Sequence, residues 1–472
     1  MLQRLSCVVY LTVLFCARAI LGIRLQESTT LGQDPQTVNR LNGESFQQDA
    51  IVTFNNYQYA VFWQAEAANN SIRHASISRR ALEPSGQWET FVLPDYDQTD
   101  DDGHDIISLG ISRGDGTLHI GFDQHDNPLR YRTSVKGVAT HPQSVNWTAS
   151  IFGPTLDSLP GLEDLDKSVY FVNVTYPRFL SIPSAAHADG ADLLLELRVG
   201  RSGLGDDWLY RYVPDRGWAQ VGRYLEGVNN NAYINGLDFT PSGVLHVTWT
   251  YRDYVNDTGQ DVAVEAGPNG PENNHDMDYA YSADLGYTWF NNWNQRIANT
   301  SAGEPILPVS AGITIFSIPK YGGILNQEAQ TLDDEGRVHV LNRENTTGVE
   351  RWYHYWRSTS AHWTRTPLPS PTELGSSNNI TGTPTVIGKR GKLVFGAGAL
   401  FAILPSNAPN STALSIIGST AAGHFRDWEV LWEAPEGCVA EPLFDRYRLA
   451  ENGVLSLFLV NGTSLQVLDF EL

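Results

Sequence analysis

A turn followed by alternating apolar and polar residues recurs seven times along this chain, beginning at Asn55, Asp115, Asp189, Ser242, Glu335, Arg390 and Asn452. Asn55-Asn-Tyr-Gln-Tyr-Ala-Val-Phe-Trp63 and Ser242-Gly-Val-Leu-His-Val-Thr-Trp249 show the form. Period-two alternation puts every second side chain on one face of a strand, and Gly, Asn or Asp supplies the positive φ of a tight hairpin. The intervals leave room for about four strands per unit, and radial closure of such units removes exposed sheet edges. The pattern predicts an all-β fold, a seven-bladed β-propeller. No linker, low-complexity tract or charge run divides the chain, so a single domain is expected over 20–472. A β-sandwich seldom repeats one hairpin so often, and the coils of a parallel β-helix are far shorter.

Ser282-Ala-Asp284-Leu-Gly286-Tyr-Thr288-Trp289 resembles the Asp-box of sialidase-type propellers. It reads as a turn between outer strands, with Asp284 accepting turn amides and Trp289 packing between blades. His119, His246 and His339 share one position of the repeat and are assigned to packing.

Two histidines break the repeat. His104 opens one strand and His125 ends the next, around the loop Arg113-Gly-Asp-Gly116. If Ser112 pairs with Thr117, the same register sets the two imidazoles opposite each other at the open end of the hairpin, within reach of one substrate. The same counting places Tyr176 opposite Arg198, Asn326 opposite Arg343, and Tyr233 opposite Thr250 with Arg252 one step beyond. Gln47 matches Gln64 likewise. If each hairpin is the inner pair of its blade, these ends ring one mouth of the propeller. Structural roles compete at every position: Tyr176 as a strand residue before Pro177, Arg198, Arg252 and Arg343 as salt-bridging residues. His275, in Asn273-Asn-His-Asp276, serves equally as a calcium ligand, a ligand contact or a loop residue.

Arg4, the apolar run Val8–Phe15 and Ala17-Arg-Ala19 predict a cleaved signal peptide at 1–19, and hence a secreted, extracellular protein. Cys7 and Cys16 leave with it. Cys438 then stands alone, so no intramolecular disulfide can form and stability falls to core burial. Nine Asn-x-Ser/Thr sequons, at Asn69, Asn146, Asn173, Asn256, Asn299, Asn345, Asn379, Asn410 and Asn461, suit a eukaryotic secretory glycoprotein. The formal charge of −21 becomes −23 without Arg4 and Arg18, which argues against nucleic acid and anionic membranes as partners. A short acidic ligand held by local arginines stays compatible with it, because screening confines the global field to about 8–10 Å.

A histidine pair, a phenol and a guanidinium suit elimination from a uronic acid sugar. Neutralising the carboxylate, a task for Arg198, acidifies the C5 hydrogen. A neutral histidine or a tyrosinate removes that proton, a second group protonates the oxygen leaving C4, and a 4,5-unsaturated uronate results without water.

Phe46-Gln-Gln-Asp, Tyr57-Gln-Tyr, the stretch His104–Arg132, Thr175-Tyr-Pro-Arg-Phe179, Arg198-Val-Gly-Arg-Ser-Gly203, Ala232-Tyr-Ile-Asn-Gly236, Trp249-Thr-Tyr-Arg-Asp253, Asn274-His-Asp276 and Asn326-Gln-Glu-Ala-Gln330 resemble the BNR-repeat propeller lyases. That group includes the ulvan lyases and the fungal L-rhamnose-α-1,4-D-glucuronate lyases. The resemblance implies that His125 is the principal base, with His104 its partner and Tyr176 completing the catalytic set. Arg198, Tyr233, Arg252, Asn326 and Arg343 then bind substrate. It implies a plant-type acidic polysaccharide of the gum arabic kind as partner, no required cofactor with room left for a structural calcium ion, and a monomer. Two other readings stand beside it. One is a sialidase-like hydrolase using Arg198, Arg252 and Arg343 as an arginine triad, for which no clear acidic partner emerges. The other is a noncatalytic carbohydrate-binding propeller.

Overall fold

The computed structural model describes residues 22–472 apart from 45, 48, 187–188, 202–203, 228–229, 254–272, 379–388, 407 and 409. The signal peptide predicted at 1–19 and the sequons at Asn256 and Asn379 lie outside the described residues. Seven antiparallel sheets follow one another as the blades of a β-propeller. Blade 1 holds Ile51–Phe54, Tyr57–Glu66, Asn69–Ala81 and Glu89–Gln98, and blade 2 holds Ile107–Ile111, Leu118–Phe122 and Tyr131–Thr133. Bridges from Tyr131 to Leu156 and from Ser134 to Phe152 take the place of a fourth strand in blade 2. Blade 3 runs from Val174–Ser181 to Gly217–Leu225, blade 4 begins with Asn230–Phe239 and Leu245–Asp253, blade 5 with Ala329–Leu332 and Val338–Glu344, and blade 6 with Lys392–Gly396. Blade 7 joins Leu443–Phe444, Val454–Asn461 and Ser464–Glu471 to Arg24–Gln33, which pairs along Ser464–Glu471 and closes the ring.

The first strands face the axis, where those of blades 1 and 2, 2 and 3, 4 and 5, and 5 and 6 pack on one another. Glycine makes that approach close enough: a Cβ on Gly236 would stand 2.4 Å from Gln330 Cβ of the next blade. Gln47, Asp49, Asn235, Asp238, Glu328, Lys392 and Arg446 fill the axis around a cavity of about 30 Å³, room for one or two waters. The hydrophobic core lies between blades. Trp63, Trp249 and Trp289 are fully buried there, since a sheet covered on both sides buries the side chains of both its faces.

Five of the seven repeat motifs open the second strand of a blade after a turn, as the pattern predicts. The other two differ. Arg390-Gly391 precedes the innermost strand of blade 6, whose own hairpin turns at Ala397-Gly398. Asn452-Gly453 ends a helix, Arg446–Asn452, inserted between the first two strands of blade 7, with Gly453 at φ 67 as its C-terminal cap. The Asp-box does what its residues imply. Asp284 accepts from Thr288 N at 2.8 Å and from Thr288 Oγ1 at 2.6 Å, while Trp289 stacks on Tyr224 of blade 3 at 5.1 Å. His119, His246 and His339 are buried; burial lowers all three, His119 and His246 to about 3, so they pack as neutral rings. Asn69, Asn146, Asn345, Asn410 and Asn461 are exposed.

Candidate active site

The hairpin of blade 2 has the register read from its turn. Ser112 N donates to Thr117 O at 3.0 Å, and Ile107 pairs with Phe122. Continued past the strand ends, that register brings the His104 and His125 rings into a stack, centroids 3.9 Å apart and planes 20° from parallel. Phe46 covers the other face of His104 at 4.9 Å, so three rings stand in one pile. Asp102 lies across the edge of the pair. Its Oδ1 is 2.5 Å from His104 Nδ1 and its Oδ2 is 2.6 Å from His125 Nδ1. The side chains remain open to solvent, 29% for His104, 24% for His125 and 39% for Asp102.

Burial pushes the Asp102 carboxyl up, but hydrogen bonds from the two imidazoles outweigh it and hold the group well below the ordinary carboxylate range. His104 is lowered, by burial first and then by the neighbouring His125, against the pull of Asp102. The site therefore rests with an ionised Asp102 beside a neutral His104. Asp102 was not singled out in the sequence. Its signal was the turn Asp102-Gly-His104, read only from the histidine onward.

A row of aromatic rings floors the mouth beside the pair. Phe46 lies 5.6 Å from Tyr176, and Tyr176 lies 6.3 Å from Tyr233. Each ring is backed by a buried guanidinium: Arg390 over Phe46 at 5.4 Å, Arg198 over Tyr176 at 5.0 Å, Arg252 over Tyr233 at 4.6 Å. Asn326 ties two of these together, its Oδ1 accepting from Arg252 Nη2 at 3.2 Å and its main-chain O from Arg390 Nε at 2.8 Å. Burial raises the Tyr176 phenol, and Tyr233 adds to the rise, while Arg198, Arg252 and Arg390 oppose it. The phenol therefore rests protonated. Among the described residues its hydroxyl has no hydrogen-bond partner.

Several expectations need correction. Arg198 pairs with Thr175, not Tyr176, because the register shifts between Glu196 and Arg198. The extra residue is accommodated at Tyr176 itself, at φ 59, before Pro177. Arg198 is also 1% exposed, donating to Asp126 Oδ1 and Thr175 Oγ1 at 3.0 Å each, so it underlies Tyr176 instead of facing the mouth. In blade 5 Leu332 pairs with Val338, since Asp333–Arg337 is a five-residue loop; the pairing of Asn326 with Arg343 is off by one. Arg343 is buried against Glu350 at 3.5 Å, and the third cation of the cluster is Arg390. Arg390 was read only as a turn residue. Tyr233 does pair with Thr250: a loop one residue longer than expected is offset by a bulge at Asn235.

His275 Nδ1 donates to Asp276 Oδ2 at 2.9 Å, and among the described residues no group of three metal-binding side chains includes it. Asp102, His104 and His125 do cluster. Their contacts of 2.5 and 2.6 Å are hydrogen-bond distances, whereas two ligands on one tetrahedral ion stand about 3.3 Å apart given bonds of about 2.0–2.1 Å.

A family model described as a BNR repeat-containing family member matches residues 57–370. The chain belongs to that BNR repeat-containing family. Within the match lie blades 2 to 5 and all of blade 1 but its first strand, with the histidine pair, Tyr176 and the arginines at 198 and 252. A long-isoform ulvan lyase of Alteromonas sp. (strain LOR) is 23% identical over 346 residues, 63% of this chain and 32% of that protein. Another from Pseudoalteromonas sp. (strain PLSV) is 23% identical over 348 residues, 64% of this chain and 32% of its own length. The chain thus spans about a third of the length of these curated relatives. Among solved structures, the polysaccharide lyase Uly1 superimposes with a TM-score of 0.66 at 17% identity, covering 95% of this chain and 99% of that one. A PL25 ulvan lyase bound to -[GlcA(1-4)Rha3S]- gives 0.61 at 14% identity, covering 92% and 97%. These likenesses establish the propeller architecture over nearly the whole family member described here.

Proposed function

We propose that this protein is a secreted polysaccharide lyase that cleaves the rhamnose-α-1,4-glucuronate linkage by β-elimination, releasing rhamnose and leaving a 4,5-unsaturated glucuronate end. The observation that carries the reading is the solvent-open His104–Asp102–His125 stack set beside a protonated Tyr176 on an arginine-backed floor. The ulvan lyases among its relatives support the reaction class, and one of them is solved with a glucuronate–rhamnose unit. The predicted signal peptide and sequons favour an exported enzyme, and we take plant-type gum side chains as its substrate and a monomer as its working state.

In this reading His125 takes the C5 proton, the C5–H electron pair forms the C4=C5 double bond, and the C4–O bond breaks. The leaving oxygen takes its proton from Tyr176 or from a protonated His104. Arg198, Arg252 and Arg390 lie behind the rings and not on the open surface, so they act on the uronate carboxylate as a fixed positive layer in a site of low dielectric. That local sign matters in a chain whose formal charge is −21. The reaction needs no cofactor in this account, and turnover in chelator should match turnover without it.

The test is incubation with gum arabic, reading ultraviolet absorbance and product masses. The expected result is rising absorbance, free rhamnose and a dehydrated uronate end, all lost in His125→Phe. Hydrolysis products with flat absorbance, or no turnover by the unaltered protein on any rhamnosyl-glucuronate substrate, would overturn the reading.

A further inference from the structure

We propose that Asp102 is the positioning residue of the histidine pair: it accepts the Nδ1–H of His104 and of His125 at once, so both rings present an unprotonated Nε2 and the pair can take up one added proton between them. The inference concerns the tautomers of the free protein; its kinetic consequences rest on the lyase reading above.

Three observations carry it. The two carboxylate oxygens are divided, one to each ring, at 2.5 and 2.6 Å. Oδ1 also accepts the His104 main-chain N–H at 3.0 Å, which holds the carboxylate in a tight turn against its own strand. And an ionised carboxylate can only accept, so each facing Nδ1 must donate. Among the described residues neither Nε2 has a hydrogen-bond partner, which leaves both lone pairs to the solvent-open side.

Stacking at 3.9 Å then limits the pair to one extra proton, since two imidazolium rings at that distance repel. One ring becomes an acid and the other stays a base, over a single anion that compensates whichever ring is charged. The groups facing the pair are Asp102 from the loop, Asp126 beside His125, Tyr176 and Arg198 from blade 3, Tyr233 and Arg252 from blade 4, and Arg390 from blade 6. Of these, Asp102 alone contacts both rings by hydrogen bonds. An asparagine in its place offers one acceptor and one donor, so one ring would keep Nδ1–H while the other would have to accept and move its proton to Nε2.

The experiment is nitrogen-15 NMR of histidine-labelled full chain at about pH 8, above the ordinary imidazole pKa of about 6.5. The unaltered protein should show His104 and His125 both protonated at Nδ1 and bare at Nε2, and Asp102→Asn should invert one of them. On a uronate substrate Asp102→Asn should lower kcat on the order of 100-fold with KM within about twofold. The acid limb of its kcat/KM profile should move to lower pH, because the lost carboxylate no longer favours imidazolium; a merely unfolded fraction would lower activity without moving the limb. Nε2–H rings in the unaltered protein would overturn the proposal, with no variant needed. So would an Asp102→Asn protein with unchanged tautomers and an unmoved acid limb. Nδ1–H rings in a protein that makes no unsaturated product would remove the lyase reading and leave the tautomer assignment standing.

Discussion

Tyr176 is kept as a phenol by its surroundings, and that fixes which way its proton can travel. Burial and Tyr233 raise its pKa while three arginines hold the rise in check, so it enters any turnover as a donor. Tyr176→Phe removes only the hydroxyl and leaves the ring to cover Arg198; kcat should fall by about 100-fold or more with Tm nearly unchanged, measured by steady-state kinetics and calorimetry. Because the phenol does not ionise below about pH 10, the kcat/KM profile should lack an alkaline limb from this group up to that point. A different residue governs stability. Asp105 is buried, and burial first, then Asp123 and Asp102, push its carboxyl to about 8. The folded state therefore holds a proton that the unfolded chain releases near pH 4, and stability from this group is lost as pH rises from about 4 towards 8. Above the ordinary histidine range no buried imidazole opposes the trend, so Tm should fall between about pH 6.5 and 8, and Asp105→Asn should flatten that slope in thermal melts.

At the scale of the hairpin, legibility depended on loop length. The four-residue loop after Ser112 could be read directly, and the His104–His125 pairing followed from it. The five-residue loop Asp333–Arg337 could not be told from a four-residue one, because Asp333, Glu335 and Gly336 all suit a turn; one miscounted residue moved Arg343 to the wrong partner. Tyr176 shows a second cause. A bulge at a non-glycine residue leaves no mark beyond the following Pro177, yet it changes which side chain faces Arg198. Asp102 and Arg390 were missed because neither lies in a paired strand: one comes from an inter-blade loop, the other precedes an innermost strand. Turn chemistry outside the site is separable from function. Asp284→Ala should cost about 1 kcal/mol of stability, read by denaturant melts, with kcat/KM unchanged. Gly110→Ala, whose new methyl would stand 2.6 Å from Phe179 Cγ between the inner strands of blades 2 and 3, should cost about 1–3 kcal/mol.

For the whole molecule, the number of blades was legible because one hydrophobic period repeats, and among the described residues the one cysteine, Cys438, is buried and free, so the closure seen there is noncovalent. What the pattern did not show is the composition of the last blade. Its outermost strand is Arg24–Gln33, nine of whose ten residues are exposed or half-buried and which carries little apolar signal. The strand is held instead by a ladder running from Arg24 opposite Glu471 to Gln33 opposite Ser464. Removing residues through Gln33 should bare the Ser464–Glu471 edge, lower Tm and promote association on size-exclusion chromatography, while the distant histidine pair keeps its geometry.

That ladder also sets an order of events in biosynthesis. Arg24 and Glu471 meet across 447 positions of sequence, so a ribosome that has already extruded the first of these strands must add more than four hundred residues before its mate exists. Until then the toroid is a chain of loosely joined leaves with a lone ribbon at the front. The decisive association comes late and over long range, which makes nascent-chain escort, rather than spontaneous early collapse, the step on which yield should depend.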